Sequence, residues 1–135
     1  MNIYEDKVRY FYTDIWEAKK LGDLSNTLHE NFNFRGSLGS VKLNQSEFAD
    51  YVRSVHAALS DYQCCIEELV IQSNKVFARM TFSGIHDAEF LGYEATHARV
   101  SWEGAALFTF TEDKISDLWV LGDTRKLEQQ LGGHS

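Results

Sequence analysis

Proline is absent from all 135 residues, where an average usage of ~5% would give roughly seven. No turn in this chain can rest on a ring-fixed φ. Cysteine is nearly as scarce. The two that occur, Cys64 and Cys65, are adjacent. On a strand, neighbouring side chains point to opposite faces, so the pair builds neither a disulfide framework nor a zinc site. A thiol-reducing, cytoplasmic location is expected. Basic residues are outnumbered, 13 Lys and Arg against 20 Asp and Glu, giving a formal net charge of −7. A phosphate backbone and an anionic membrane surface both call for clustered cations, so neither nucleic acid nor membrane is an expected partner. Apolar runs last only a few residues, as in Gly104–Phe108, too short to span a bilayer. The opening MNIYEDKVRY carries charge from the start and has no apolar core, so no signal peptide is read there. No GxGxxG, GxxxxGK or GxSxG string occurs, and no HxH or HxxxH pair. A nucleotide site, a serine hydrolase site and a metal centre are therefore not expected, and no cofactor is assigned.

What is present is a core. Hydrophobic residues make up 44% of the chain and aromatics 13%, more apolar surface than a disordered chain keeps in water. The length suits one domain, taken as residues 1–135, and there is no repeat, linker or low-complexity tract. Asn2-Ile-Tyr-Glu5 reads as a capping box opening a helix. Tyr4, Val8, Phe11, Ile15 and Ala18 then recur on one face of it, and Gly22 suits its end. A short second helix is predicted over Leu24 to Glu30. Phe32–Phe34 and Val41–Leu43, around a Gly-containing loop, read as a hairpin or two edge segments. The clearest start is the next helix, with Asn44 and Glu47 as a capping box and Leu43 and Phe48 as a hydrophobic staple. Phe48, Tyr51, Val52, Val55 and Leu59 form its apolar stripe.

From Asp61 the period drops to two. Tyr62–Ile71 reads as a strand with a bulge near Glu67-Glu68, followed by a turn at Ser73-Asn74. Val76, Ala78, Met80 and Phe82 share one face of the next strand. After a loop from Gly84 to Gly92, Val100, Trp102, Ala106, Phe108 and Phe110 share a face of a long strand, with Gly104 allowing a bend. Glu112-Asp113-Lys114 turns the chain. Ile115, Asp117, Trp119, Leu121 and Asp123 are expected on one face of the last strand. Leu127 and Leu131 mark a terminal helix stopped by Gly132-Gly133. Helices followed by strands with short connections predict an α+β fold with an antiparallel sheet. If the sheet curls, it and the helices can enclose a pocket.

Asp123 is the most informative carboxylate. Beyond Trp119 and Leu121 it can point into apolar space, where lost hydration raises its pKa and lets it trade protons near neutrality. It also precedes a helix and suits an N-cap; the residues alone leave both readings open. Asp117 belongs at the solvated strand end. His86 is a proton donor or ligand contact at a strand end, or a loop histidine bonded to backbone. His97 and Arg99 suit a solvated or interface face, and His56 borders an apolar stripe. His29 and His134 fit no pattern.

The later half of the chain resembles a known family. Phe82-Ser-Gly-Ile-His-Asp-Ala-Glu-Phe-Leu-Gly92, then Ala95-Thr96 and Val100, is similar to the Gly-Thr-His…Gly-x-Phe-x-Gly…Ala-Thr-Gly run of SnoaL-like polyketide cyclases. Lys114-Ile…Trp119…Asp123, then Gln130-Leu131-Gly132, resembles that family's closing segment. Asp61-Tyr62 stands where the family has Pro-Asp-Tyr or Pro-Asp-Leu. The likeness covers roughly Phe32 to Gly132. It implies the cone-shaped, nuclear transport factor 2-like α+β fold, in which helices cover a curved antiparallel sheet around a deep apolar cavity. It also implies that Asp123 matches the acid/base of a cofactor-free intramolecular aldol closure, and that His86 matches the histidine of the Gly-x-His motif. Departures are His97 for Gly, Ser60 for Pro, and Leu107 and Thr109 in place of a polar pair.

Two functions follow. One is proton-transfer chemistry of cyclase or isomerase type on a small apolar or aromatic carbonyl compound, with Asp123 as base and His86, a tyrosine or an indole as donor. The expected cavity lining is Trp119, Trp102, Phe108, Tyr12, Trp16 and Tyr51. The other is a non-catalytic ligand-binding or dimerisation module of the same fold. A homodimer is expected through the outer sheet face, assigned Phe77, Leu107, Leu118 and Val120.

Overall fold

The computed structural model describes residues 2–37 and 42–132. Its first helix, α1 (Ile3–Tyr10), continues without a break as a π-helix over Phe11–Glu17. A 3-10 turn at Leu24–Asn26 leads into β1 (Leu28–Arg35). Then come α2 (Gln45–Ala58), β2 (Leu59–Gln72), β3 (Lys75–His86), β4 (Arg99–Thr111), β5 (Lys114–Gly122) and α3 (Thr124–Leu131). The strands form one sheet in the order β1-β5-β4-β3-β2. Three helices packed on this sheet make the α+β arrangement read from the sequence.

The sheet is mixed, which corrects the antiparallel expectation. β2 to β5 run antiparallel, but β1 lies parallel to β5, with Phe34 opposite Leu118 and Arg35 opposite Trp119. The helix expected over Leu24 to Glu30 is the 3-10 turn followed by the start of β1. So short a helix is marginal on its own. Here the Thr27 carbonyl accepts the Ile115 N–H at 2.9 Å, and Leu28 is fully buried, so sheet pairing decides the conformation. The hairpin expected around Arg35 survives as a bridge between Phe34 and Leu43, joined by two 2.8 Å backbone bonds. Residues 38–41 of the intervening segment lie outside the described residues, as do Gly133 and His134.

Local signals set several boundaries. Asn44 accepts the Glu47 N–H at 3.0 Å, and the Glu47 carboxylate takes the Asn44 N–H at 2.9 Å, which closes the capping box of α2. Asn2 caps α1 through the N–H groups of Tyr4 and Glu5, while the Glu5 carboxylate turns to Arg9 instead of closing a box. The first helix ends at Glu17, ahead of Gly22, with Lys19 at φ 55. The expected bulge in β2 falls between Ile66 and Glu68.

β4 supplies the core face as read, with Val100, Trp102, Ala106, Phe108 and Phe110 buried. Gly104 lets β4 approach β3 closely, since a Cβ there would sit 2.7 Å from the Phe82 ring. β5 departs from the expected alternation. Thr109 faces Asp117 and Phe110 faces Ile115, so Ser116 is an extra residue that shifts the pattern. Ile115 and Leu118 both point inward, and Trp119 and Leu121 point out. Leu118, assigned to the outer face from sequence, is buried, and Val120 lines the interior cavity.

The π-helix positions the roof of that interior. It continues the buried stripe of α1: after Val8, Phe11, Tyr12, Ile15 and Trp16 follow at i+3, i+4, i+7 and i+8 and all face the buried side. Phe11 stacks on Phe48 of α2 (centroids 5.6 Å) and stands edge-on to Phe108 of β4 (5.5 Å). The two helices are thereby tied to the middle of the sheet through aromatic contacts.

Candidate functional site

A cavity opens between the helices and the inner face of the sheet, beside the ends of β1 and β5. Tyr12 and Trp16 reach it from the first helix, Tyr51 from α2, and Tyr62, Phe82 and Trp102 from β2, β3 and β4. Leu118 and Val120 of β5 close it below, and Phe34, Gly36 and Ser37 form the rim. The register explains this convergence. Phe82 is paired with Trp102 across β3 and β4, and the two rings lie 5.7 Å apart. Trp16 packs edge-on against Tyr51 at 5.8 Å.

The cavity proper measures about 40 Å³, within a concavity of about 430 Å³ counted out to its mouth. It is thus narrow, well below the several hundred Å³ of a drug-sized ligand site. A single ring fits only by using the space out to the mouth, and a fused polycycle requires the walls to move.

Its polar groups are hydroxyls and indole N–H groups. Tyr12 is 2% exposed, and its hydroxyl is the one buried side-chain polar atom without a hydrogen-bond partner among the described residues. Burial, and secondarily the Cys64 thiol nearby, pushes the Tyr12 phenol well above its ordinary pKa. Burial likewise raises Tyr51 and Tyr62. All three remain protonated at neutral pH and can donate. At the rim, the Ser37 Oγ and Trp102 Nε1 both approach Gly122, where a Cβ would meet them at 3.1 and 3.3 Å. No carboxylate, imidazole or amine is found among the described lining residues, and no group of three or more His, Cys, Asp or Glu among the described residues is placed to hold a metal ion.

The expected site residues therefore divide. Tyr12, Trp16, Tyr51 and Trp102 come together around the cavity. Phe108 is sealed beneath Tyr12, edge-on at 5.8 Å, in the core. Trp119 stands on the outer sheet face, 40% exposed, with the Arg35 guanidinium 5.9 Å from its ring. The Ser116 bulge is the reason, because it reverses which residues of β5 face inward.

Asp123 is exposed and does not line the cavity. Its backbone N–H donates to the Glu103 carbonyl at 2.9 Å, and its carboxylate accepts the Lys126 N–H at 3.0 Å, capping α3. His86 is fully buried and also outside the cavity. Its Nδ1 accepts the Thr96 N–H at 3.3 Å and lies 3.1 Å from the Thr96 hydroxyl; its Nε2 lies 3.2 Å from the Tyr93 carbonyl. A backbone donor at Nδ1 and a carbonyl at Nε2 fix the neutral tautomer protonated on Nε2. The imidazole thus holds the loop between β3 and β4 in place.

Besides Phe11 and the rim residues Phe34, Gly36 and Ser37, the expected lining lacks Tyr62, Phe82, Leu118 and Val120. Tyr62 and Phe82 could be read from the buried alternation of β2 and β3; Leu118 and Val120 are hidden by the bulge. On the far side of Tyr62 lies an open groove with Glu17, His56, Asp61 and Cys64. Glu17 accepts the Cys64 N–H there at 2.7 Å, and His56 Nε2 meets the Trp16 carbonyl at 2.5 Å.

A family model described as SnoaL-like polyketide cyclase matches residues 6–131. Among solved structures, TsrD from Streptomyces laurentii aligns over 96% of this chain and 95% of its own, at 23% identity and a TM-score of 0.84. A SnoaL-like polyketide cyclase from Agrobacterium tumefaciens aligns over 98% of this chain and 100% of its own, at 21% identity and a TM-score of 0.81. IdmH from Streptomyces antibioticus aligns over 96% and 98%, at 15% identity and a TM-score of 0.84. At these identities the structural likeness speaks to the fold. No curated protein matches the sequence. No helix among the described residues is long and apolar enough to cross a membrane.

Proposed function

The chain belongs to the SnoaL-like polyketide cyclase family, and from that premise we propose that it binds a small, uncharged, apolar or aromatic compound in the cavity under the first helix. One observation carries this reading: the described walls are aromatic and aliphatic, and their polar groups are neutral hydroxyls and indoles. A charged ligand would surrender its hydration there without a counter-charge.

Turnover is the second reading, favoured by the family itself. Protonated phenols can polarise a carbonyl. Removing a proton next to that carbonyl also needs a base, and the described lining contains no carboxylate or imidazole. Asp123, the candidate base, is engaged as a cap outside. Binding is therefore the function that the geometry supports best.

Titration with α-methylstyrene, an uncharged hydrocarbon of one ring, tests this through the fluorescence of Trp16 and Trp102. Saturable binding is expected in the wild type and in Asp123→Asn, and it is expected to be lost in Val120→Phe, which fills the cavity from below. Absence of binding in the wild type, or undiminished binding in Val120→Phe, overturns the assignment.

A further inference from the structure

Resting on the proposed binding of an uncharged compound, we infer that Gln130 of α3 is a positioning residue of the cavity. From outside the cavity its side-chain amide clamps the Ser101 backbone, and so sets where the neighbouring Trp102 stands in the wall.

The clamp fills a gap in the sheet. β5 pairs with β4 as far as Gly122 opposite Gly104, and the Asp123 N–H then reaches the Glu103 carbonyl at 2.9 Å. At Ser101, the next rung, β4 has run past the end of β5. A strand edge left there without a neighbour has an N–H and a carbonyl in need of partners. The Gln130 side chain supplies both. Its Oε1 accepts the Ser101 N–H at 2.9 Å, and its Nε2 donates to the Ser101 carbonyl at 2.7 Å. Nε2 also donates to the Lys126 carbonyl at 3.0 Å, one turn earlier in α3. The amide thus pairs with Ser101 as a neighbouring strand would. Gln130 lies on the same helix face as Leu127 and Leu131, both buried, so the helix that carries the clamp is itself anchored.

Ser101 is covalently joined to Trp102, whose ring forms part of the cavity wall. That ring has little slack. It stands 5.7 Å from Phe82 and 6.4 Å from Tyr62, and a Cβ at Gly122 would lie 3.3 Å from its indole edge. A backbone shift at Ser101 moves the indole against these neighbours, and in a cavity of about 40 Å³ a small displacement alters what fits. The buried leucines can hold α3 on the sheet, but they cannot fix the rung. That takes an acceptor and a donor side by side, which an amide has and which methionine and ionised glutamate of similar length lack.

The test replaces Gln130 with Met, which keeps the length and removes the amide, and with Glu, which keeps an accepting oxygen and removes the donor. Ile115→Val, a buried change at the far end of β5, is the control for lost stability alone. All proteins carry 5-fluorotryptophan, and the Trp102 fluorine resonance is assigned by Trp102→Phe. Without ligand, Gln130→Met and Gln130→Glu are expected to shift or broaden the Trp102 resonance and to leave that of Trp119 in place. Ile115→Val is expected to leave both in place while melting lower. In titrations with α-methylstyrene, both Gln130 variants are expected to bind about three- to tenfold more weakly, as the fraction of chains with Trp102 in place falls with the lost hydrogen bonds. Ile115→Val is expected to bind as wild type does. The inference is overturned if the Trp102 resonance of both Gln130 variants coincides with that of wild type, if Ile115→Val moves it equally, or if the Gln130 variants bind as tightly as wild type. In each of these cases wild-type binding of α-methylstyrene still supports the apolar cavity. Failure of wild type to bind overturns the binding assignment, and the resonances measured without ligand then decide by themselves whether Gln130 positions Trp102.

Discussion

The carboxylate of Asp123 accepts the backbone N–H of Lys126 at 3.0 Å, which ties the last residue before α3 to the first turn of that helix. Asparagine caps a helix about as well as aspartate, whereas alanine does not. Asp123→Asn is therefore expected to retain wild-type stability and ligand binding. Asp123→Ala is expected to lose about 1 kcal/mol, read by urea denaturation. A loss of binding in Asp123→Asn with an unchanged melting curve would restore a direct ligand role for this residue.

His86 is a second residue whose work is structural. Replacing it with alanine would leave the Thr96 N–H without its partner, take from the Tyr93 carbonyl one of its two hydrogen bonds (the Phe90 N–H remains) and open a void. The expected cost is roughly 2–4 kcal/mol. Hydrogen exchange should accelerate at the amides of residues 87–98, and α2 should be spared. Uniform acceleration through the whole chain would show that the imidazole supports more than this loop.

Acid should weaken the same region. The Asp87 carboxyl is held below its ordinary pKa of 3.8 by the Ser60 hydroxyl first and by His97 second. A depressed folded-state pKa contributes stability that is complete above the unfolded value and disappears as pH falls through the lower folded value. Melting temperatures of wild type and Asp87→Asn should therefore converge as pH drops below about 4. Because the group is exposed, the gap above that pH should be small. A gap that widens on acidification would contradict the assignment.

The outer face of the sheet carries Phe77, Leu107, Trp119 and Leu121, and Phe77, Trp119 and Leu121 are each at least 39% exposed. Pairing of two copies across this face would cover them. Light scattering at micromolar concentration is expected to return twice the chain mass of 15.5 kDa. Phe77→Asp is expected to return a single chain mass with its fold intact. A single mass for the wild type would rule the pairing out.

Much of the fold is legible because the signals for it are local and strong. Asn44 with Glu47 announces α2, and the alternation from Val76 to Phe82 and from Val100 to Phe110 fixes the inward faces of β3 and β4. The cavity residues on those elements, Tyr51 and Trp102, follow from the same patterns. Tyr12 and Trp16 are legible as well, since they stand four and eight residues after Val8, on one broad helical stripe. What stays hidden depends on distant partners. β1 becomes a strand by pairing with β5, and nothing within Leu24 to Glu30 announces that. The Ser116 bulge leaves no mark in the alternation, so Trp119 reads as inward when it faces out, and it carries Asp123 with it. His86 occupies a motif position, but its role is set by the carbonyl and amide that the loop folds back to it.

The π-helical stretch Phe11–Glu17 closes its hydrogen bonds one residue later than an α-helix does. One residue removed from it would let the stretch relax toward α-helical geometry and leave Trp16 on nearly the same face, because a turn with fewer residues then covers the same angle. The sheet beneath would keep its register, because no strand is touched. The first helix can therefore change length by one residue without dismantling the cavity wall, a tolerance that a regular α-helix in its place would lack.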